Sequence, residues 1–321
     1  MYNTELKDRF TKQYTTKKSV REACLSVFEA VEKYERQWGA DLCTQDVQSL
    51  EEMLNDLLGM RTSSKHLRLS ILRDYVRWCI SEGVPGATNG MLHARSDGIE
   101  KMKRQTVRNP RHLQLYLDSI CDPEEMETVD NTIRCFYWLA YSGMDENDIL
   151  KVTSLDVDLR HMEIQFGGES FPIYREALPA LQNCMELTQF QYVHPNYGAD
   201  KVVYKDRAQG DELLRGLRGA PSLTGLRAAL SRKHKQIEQR GGDTLGLRLS
   251  YSRVWISGIF YRAYENEMAG IDPDFMDTAE RHMAGKEYHL ESGRNTIDAK
   301  QRAIARDYRK DYDRWKLTFK E

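Results

Sequence analysis

The stretch from Trp138 to Leu159, WLAYSGMDENDILKVTSLDVDL, constrains this chain more than any other. An apolar helical run that includes Phe136, Trp138, Leu139 and Ala140 breaks at Gly143 and restarts at Asp145 or Glu146. The restart carries Ile149, Leu150 and Val152 toward a turn at Ser154 and a strand near 156–159. Glycine closes helices because it alone enters the left-handed region without strain. The order helix, glycine turn, helix, strand is therefore specific.

That stretch resembles the signature of the tyrosine recombinase (phage integrase) superfamily, which reads roughly YTGLRxSELLxLxxxDID. Tyr141, Ser142, Gly143 and Met144 fit its first half, and Ile149, Leu150, Leu155, Asp156 and Asp158 fit its second. Where the family places its first catalytic arginine, this chain has Asp145. The resemblance implies a mainly α fold with a small antiparallel β-sheet. A helical core-binding (SAM-like) domain would precede a catalytic-like domain.

Taken in order, residues 1–20 are polar and read as a flexible or loosely docked arm. Residues 21–90 read as the helical core-binding domain. Apolar residues recur at helical spacing from Val20 to Trp38, again from Val47 to Leu57 or Leu58, and from a cap at Ser63 or Ser64 to about Ser81. On this last helix Leu69, Leu72, Val76 and Cys79 form an apolar stripe, and His66, Ser70, Arg73 and Arg77 an offset polar one. The segment SSKHLRLSILRDYVRWCISEG, with Lys65 and Arg68, resembles the family's core-binding helix, and a stripe of this kind suits a DNA groove.

Residues 91–110 lack sustained periodicity and carry Lys101, Lys103, Arg104 and Arg108, which reads as a basic interdomain linker supplying phosphate contacts. Residues 111–321 read as the catalytic-like domain. A helix near 111–120 is followed by a cap at Asp122-Pro123. A hairpin turns at Gly167-Gly168, a helix spans 179–190, and a short strand lies at 201–205. Helices follow from Ser222 or Thr224 to Arg240, over 250–267 and over about 296–316.

The 321 residues suffice for two domains. With 40% hydrophobic and 30% charged residues, the composition is that of a globular protein rather than a disordered one. No apolar run is long enough for a membrane span, and the polar N-terminus lacks a signal core. Six scattered cysteines without a CxxC pair fit a reducing bacterial cytoplasm. The formal net charge of −2 hides segregation. Residues 61–111 hold eleven basic against four acidic side chains, a net of +7, and residues 207–240 eight against three, a net of +5. Two basic blocks separated by acidic ones suit double-stranded DNA, although solvated helix faces look alike in composition.

An active member of the family uses two arginines and a histidine around the scissile phosphate, a hairpin lysine and a tyrosine nucleophile. The hairpin segment EIQFGGESFPIY has no lysine; Lys201 and Lys205 come later. The family's HxxR box matches Leu249-Ser250-Tyr251-Ser252-Arg253, with Ser250 at the histidine and Arg253 at the second arginine. The GHxSxxTTxxY box matches best at Gly285-Lys286, which puts Asn295 at the tyrosine; Tyr308 and Tyr312 are wrongly spaced and Tyr288 comes too early. His282, His289 and Glu287 match no common metal-ligand spacing, so neither metal nor cofactor is expected.

Four of five key roles are thus missing or displaced, while capping, periodicity and turn chemistry stay mutually consistent. The expectation is a sequence-specific DNA-binding protein without strand cleavage, nucleoid-associated, acting as a (pro)phage regulator. It is similar in this respect to the integrase-like repressors that maintain lysogeny in SPbeta-type prophages. Its contacts would come from Lys65, His66, Arg68, Ser70, Arg73 and Arg77, from the linker cations, and from Arg227, Lys233, Lys235 and Arg253. The alternatives are an active but divergent recombinase and an assembly module that does not bind DNA. The helical tail over 296–316 would either dock on a second copy or pack on its own chain.

Overall fold

In a computed structural model the described residues are 1–14, 18–57, 62–96, 98–121, 128–193, 202–216, 219–239, 241–242, 244–284 and 297–319. The helices in chain order are α1 (Thr4–Lys12), α2 (Lys18–Trp38), α3 (Val47–Leu57), α4 (Thr62–Ser81), α5 (Gly90–His93), α6 (Ile99–Gln105) and α7 (Pro110–Ile120). They continue with α8 (Thr128–Tyr141), α9 (Glu146–Ile149), α10 (Leu178–Glu186), α11 (Leu223–Gln239), α12 (Tyr251–Met268), α13 (Met276–Met283) and α14 (Ile297–Leu317). Strands β1 (Val157–Asp158), β2 (Glu163–Phe166) and β3 (Glu169–Pro172) form one antiparallel sheet; β4 (Gln189–Val193) and β5 (Val202–Asp206) form a second. The fold is mainly α with small antiparallel sheets, as the resemblance implies.

By packing, the chain forms two compact units: Met1–Lys103 with Asp274–Glu321, and Arg104–Pro273. The first unit is built around an aromatic cluster. Phe10 of α1 meets Phe28 of α2 and Tyr75 and Trp78 of α4 edge-on, with ring centres 5.3–5.9 Å apart. The N-terminal segment is therefore no loose arm over 4–12. Leu6 and Phe10 stand one turn apart and bury, and Lys7 forms a fully buried ion pair with Glu35, whose other oxygen accepts the Leu42 N–H at 3.1 Å. A polar composition concealed this short amphipathic helix.

Two further expectations change in the same unit. Residues 91–110 are not a linker without order: α5 and α6 form there, with Met91, Ala94 and Met102 buried, and the boundary between units falls inside α6. Residues 274–321, expected within the 111–321 block, pack with the first unit. There α13 and α14 lie against each other, α14 also touches α4, and Phe275, Tyr308, Tyr312 and Trp315 are buried.

The second unit is centred on α8, whose residues 135–141 are all buried. Gly143, at φ +100°, turns the chain from α8 into α9, and Asp145 caps α9 by accepting the Asn147 N–H at 2.9 Å. One stripe of α12 closes the exit of α8. Tyr251, Trp255 and Arg262 donate hydrogen bonds to the carbonyls of Met144 (2.8 Å), Gly143 (3.0 Å) and Tyr141 (2.7 Å). Between them Gly258 meets the Tyr141 backbone so closely that a Cβ would overlap its carbonyl. These bonds satisfy the carbonyls that a helix end leaves open. The β2–β3 hairpin turns at Gly167-Gly168 as its sequence predicts. The helix expected over 179–190 stops at Glu186, because 189–193 pairs with 202–206 instead. The Asp122-Pro123 cap, Lys201 and residues 285–295 lie outside the described residues.

Candidate functional site

The second unit carries a cleft of about 690 Å³ between α8, α9, α11 and the start of α12. Its floor is apolar, with Phe136, Leu226 and Leu230, and three guanidinium groups reach it: Arg227, Arg248 and Arg253. Arg253 sits in the first turn of α12, where free backbone N–H groups add positive potential. Its Nη1 donates to the Arg248 carbonyl at 2.8 Å. Burial, and then the like charge of Arg248, holds the Arg253 guanidinium below the usual arginine range. Ser250, where the resemblance leads one to expect a histidine, is the exposed N-cap residue; its Oγ lies 3.2 Å from that of Ser252 and makes no capping bond.

Glu146 adds a carboxylate to the lining. Asp145 and Glu146 open α9, and their charges add to burial in pushing the Tyr251 phenol far above its ordinary range. Glu146 takes Arg227 Nη2 on both carboxylate oxygens, each at 2.7 Å. Deeper in, the Tyr116 hydroxyl accepts the Leu249 N–H at 3.2 Å and lies 2.8 Å from His234 Nε2. Burial pushes the His234 ring below its usual value. Arrangement and charge suit the cleft to holding an oxyanion such as a phosphodiester. No lysine lies on the β2–β3 hairpin.

Several cations expected to face a ligand serve the protein instead. Lys233 is a correction: it is buried and paired with Asp130 at 3.0 Å, because α11 turns that position inward. Arg207, counted in the same basic block, is buried and donates to the carbonyls of Cys184, Leu187, Leu213 and Arg215. On α4, Lys65 donates to the Ser96 carbonyl, Arg68 to that of Leu57 at 2.7 Å and Arg73 to that of Ala94 at 3.3 Å. Arg77 pairs with Asp74 at 2.9 Å, and Ser70 reaches the same carboxylate at 3.4 Å. Lys101 bonds the Asp56 carbonyl and Lys103 pairs with Glu100 at 3.2 Å. His66, Arg77, Arg104 and Lys235 are exposed, and Arg108 is half-buried.

The two doubtful tyrosines are interior groups of the first unit, whereas Arg253 belongs to the second. The Tyr308 hydroxyl lies 3.3 Å from His282 Nδ1, and Tyr312 packs against Phe275 and Trp315. Sequence reasoning missed Glu146, Arg248 and His234. Arg248 stands two residues before Ser250, so its place beside the box was readable; Glu146 and His234 join the cleft only through tertiary packing. Among the described residues there is no group of three or more His, Cys, Asp or Glu that could hold a metal, and no helix is long and apolar enough to cross a membrane. All six cysteines are buried free thiols.

Comparison with known proteins places residues 1–81 in a match to the family described as MrpR, N-terminal core-binding domain. No curated protein matches the chain. Among solved structures, a lambda integrase (75-356) dimer bound to a COC' core site is 15% identical, over 91% of this chain and 99% of that one, with a TM-score of 0.34. XerA recombinase is 12% identical over 95% and 98%, with a TM-score of 0.35. The Tn1549 transposon integrase in complex with circular intermediate DNA is 12% identical over 94% and 98%, with a TM-score of 0.35.

Proposed function

We propose that this protein is a catalytically silent relative of the tyrosine recombinases that binds double-stranded DNA and regulates by occupancy, as a repressor of a prophage would. The observation that carries the reading is the composition of the cleft. Arg253 and its neighbours keep the means to hold a phosphate, while the acid Glu146 shares the cleft and follows directly on Asp145, the residue in register with the first catalytic arginine and the cap of α9. A carboxylate about 4 Å from a phosphate costs roughly 4 kcal/mol at an effective dielectric near 20, where an arginine would gain as much. A swing of that size removes several decades of rate at about 1.4 kcal/mol per decade. Burial of Tyr308 and Tyr312 supports the same reading, and the core-binding match over residues 1–81 supports a DNA partner. Contacts would come from Arg227, Arg248, Arg253 and Lys235 in one unit and from His66 and Arg77 in the other.

Genome-wide enrichment of DNA with the purified protein, followed by a suicide-substrate cleavage assay on the enriched sites, tests this. Bound fragments without a covalent adduct are expected. Arg253→Ala should weaken binding and flatten its salt dependence by about one phosphate contact, a slope change near 0.9. An adduct abolished by Tyr308→Phe or Tyr312→Phe would establish a divergent recombinase instead. Absence of any bound DNA at moderate salt would leave a non-DNA assembly module.

A further inference from the structure

We propose that Glu146 is an internal stand-in for a backbone phosphate, which occupies Arg227 in the free protein and sets the affinity and salt dependence of the cleft. The inference rests on the DNA-binding reading above and concerns how that site is held before DNA arrives.

A carboxylate and a phosphodiester offer a guanidinium the same thing, two oxygens sharing one negative charge. Glu146 presents both of its oxygens to one nitrogen of Arg227, at 2.7 Å each. The pair lies inside the cleft with Arg248 and Arg253, not on a remote surface. Its two members differ in freedom. The Glu146 side chain is 23% exposed and is rooted in the first turn of α9, whose cap is supplied by Asp145. The Arg227 side chain is 63% exposed on a long flexible stem. The fixed partner is thus the acid and the mobile partner the cation. Glu146 is not needed to cap its helix, and an ion pair this open to solvent contributes little stability. Arg227 is therefore free in energetic terms to exchange a carboxylate for a phosphate when one enters. The exchange leaves Glu146 facing the incoming anion, so the wild-type cleft yields less net attraction than its three arginines would give alone.

Binding of a fluorescein-labelled random-sequence duplex, followed by anisotropy across a salt series, isolates this contribution, because non-specific affinity is almost wholly phosphate contact. Glu146→Gln keeps the side-chain shape and removes the charge. It should bind about fivefold tighter, the factor released by freeing an exposed ion pair, with the log–log salt slope steeper by about 0.9. Arg227→Gln should bind more weakly with a shallower slope, and the double variant should fall between Arg227→Gln and Glu146→Gln, because it lacks the facing acid as well as the cation. Circular-dichroism melting of each variant reports whether the fold is kept. If Glu146→Gln melts as the wild type does and binds no tighter, the stand-in role is wrong while the DNA reading survives. If Arg227→Gln and Arg253→Ala both leave binding unchanged, the cleft is not a DNA contact and the stand-in role falls with it, whereas absence of any binding by the wild type would overturn the DNA reading itself.

Discussion

At the scale of single residues, Gly258 decides how closely α12 approaches α8. A methyl group there would overlap the Tyr141 carbonyl, and backbone cannot step aside as a flexible side chain can. The same approach lets Trp255 and Arg262 reach the carbonyls at the end of α8. Gly258→Ala is expected to destabilise the protein by about 3 kcal/mol, the upper end for overpacking; urea unfolding followed by fluorescence measures it. This glycine carried no special signal in the sequence, since SGIF within an apolar helix reads only as a weak spot for helix formation. Asp145 was legible for the opposite reason. The restart of the helical pattern after Gly143 put it at or next to the head of a helix, and its carboxylate caps α9.

At the scale of elements, the instructive helices are α1 and α14. A charged helix with Tyr308, Tyr312 and Trp315 spaced four and three apart has a clear periodicity, and its existence was readable over 296–316. Its destination was not, because periodicity gives a buried face without naming what covers it. The structure gives the answer: α14 lies against α13 and α4 within the first unit, and Trp315 and Tyr312 are fully buried. Removing residues 297–321 would uncover those surfaces. The truncated protein is expected to lose cooperative unfolding of its first unit and to be cleaved faster by protease within 1–103, while the 104–273 unit stays resistant; limited proteolysis with mass mapping checks this. The polar stripe of α4 was legible as a stripe, yet not as what it does. Lys65, Arg68 and Arg73 reach carbonyls supplied by Ser96, Leu57 and Ala94, partners that are distant in sequence.

At the scale of the whole molecule, two histidines tie the stability of the second unit to pH. His112 and His234 lie in the second unit, and both are pushed below their ordinary value near 6.5, first by burial and then by a neighbouring arginine. The Arg108 N–H donates to His112 Nδ1 at 3.3 Å, and the Tyr116 hydroxyl lies 2.8 Å from His234 Nε2. The unfolded chain therefore binds more protons than the folded one as pH falls below about 6.5, so stability is full above that pH and drops beneath it. His161, raised by its bond with Asp158, has the opposite sign but is exposed and screened. The thermal midpoint of the second unit should fall between pH 7 and pH 5.5, and a His112→Gln, His234→Gln double variant should flatten the response; scanning calorimetry across that range decides it.

The first unit also has a distinctive order of assembly. Its two parts, 1–103 and 274–321, flank the whole of the other unit. A ribosome adding about 5–20 residues per second delivers 104–273 only after the front of the first unit has emerged, and delivers α14 later still. For on the order of ten seconds, the nascent front piece waits with the face that receives α14 bare. The middle of the polypeptide can finish folding before its beginning does, and a chaperone that protects the early product has a defined surface to cover.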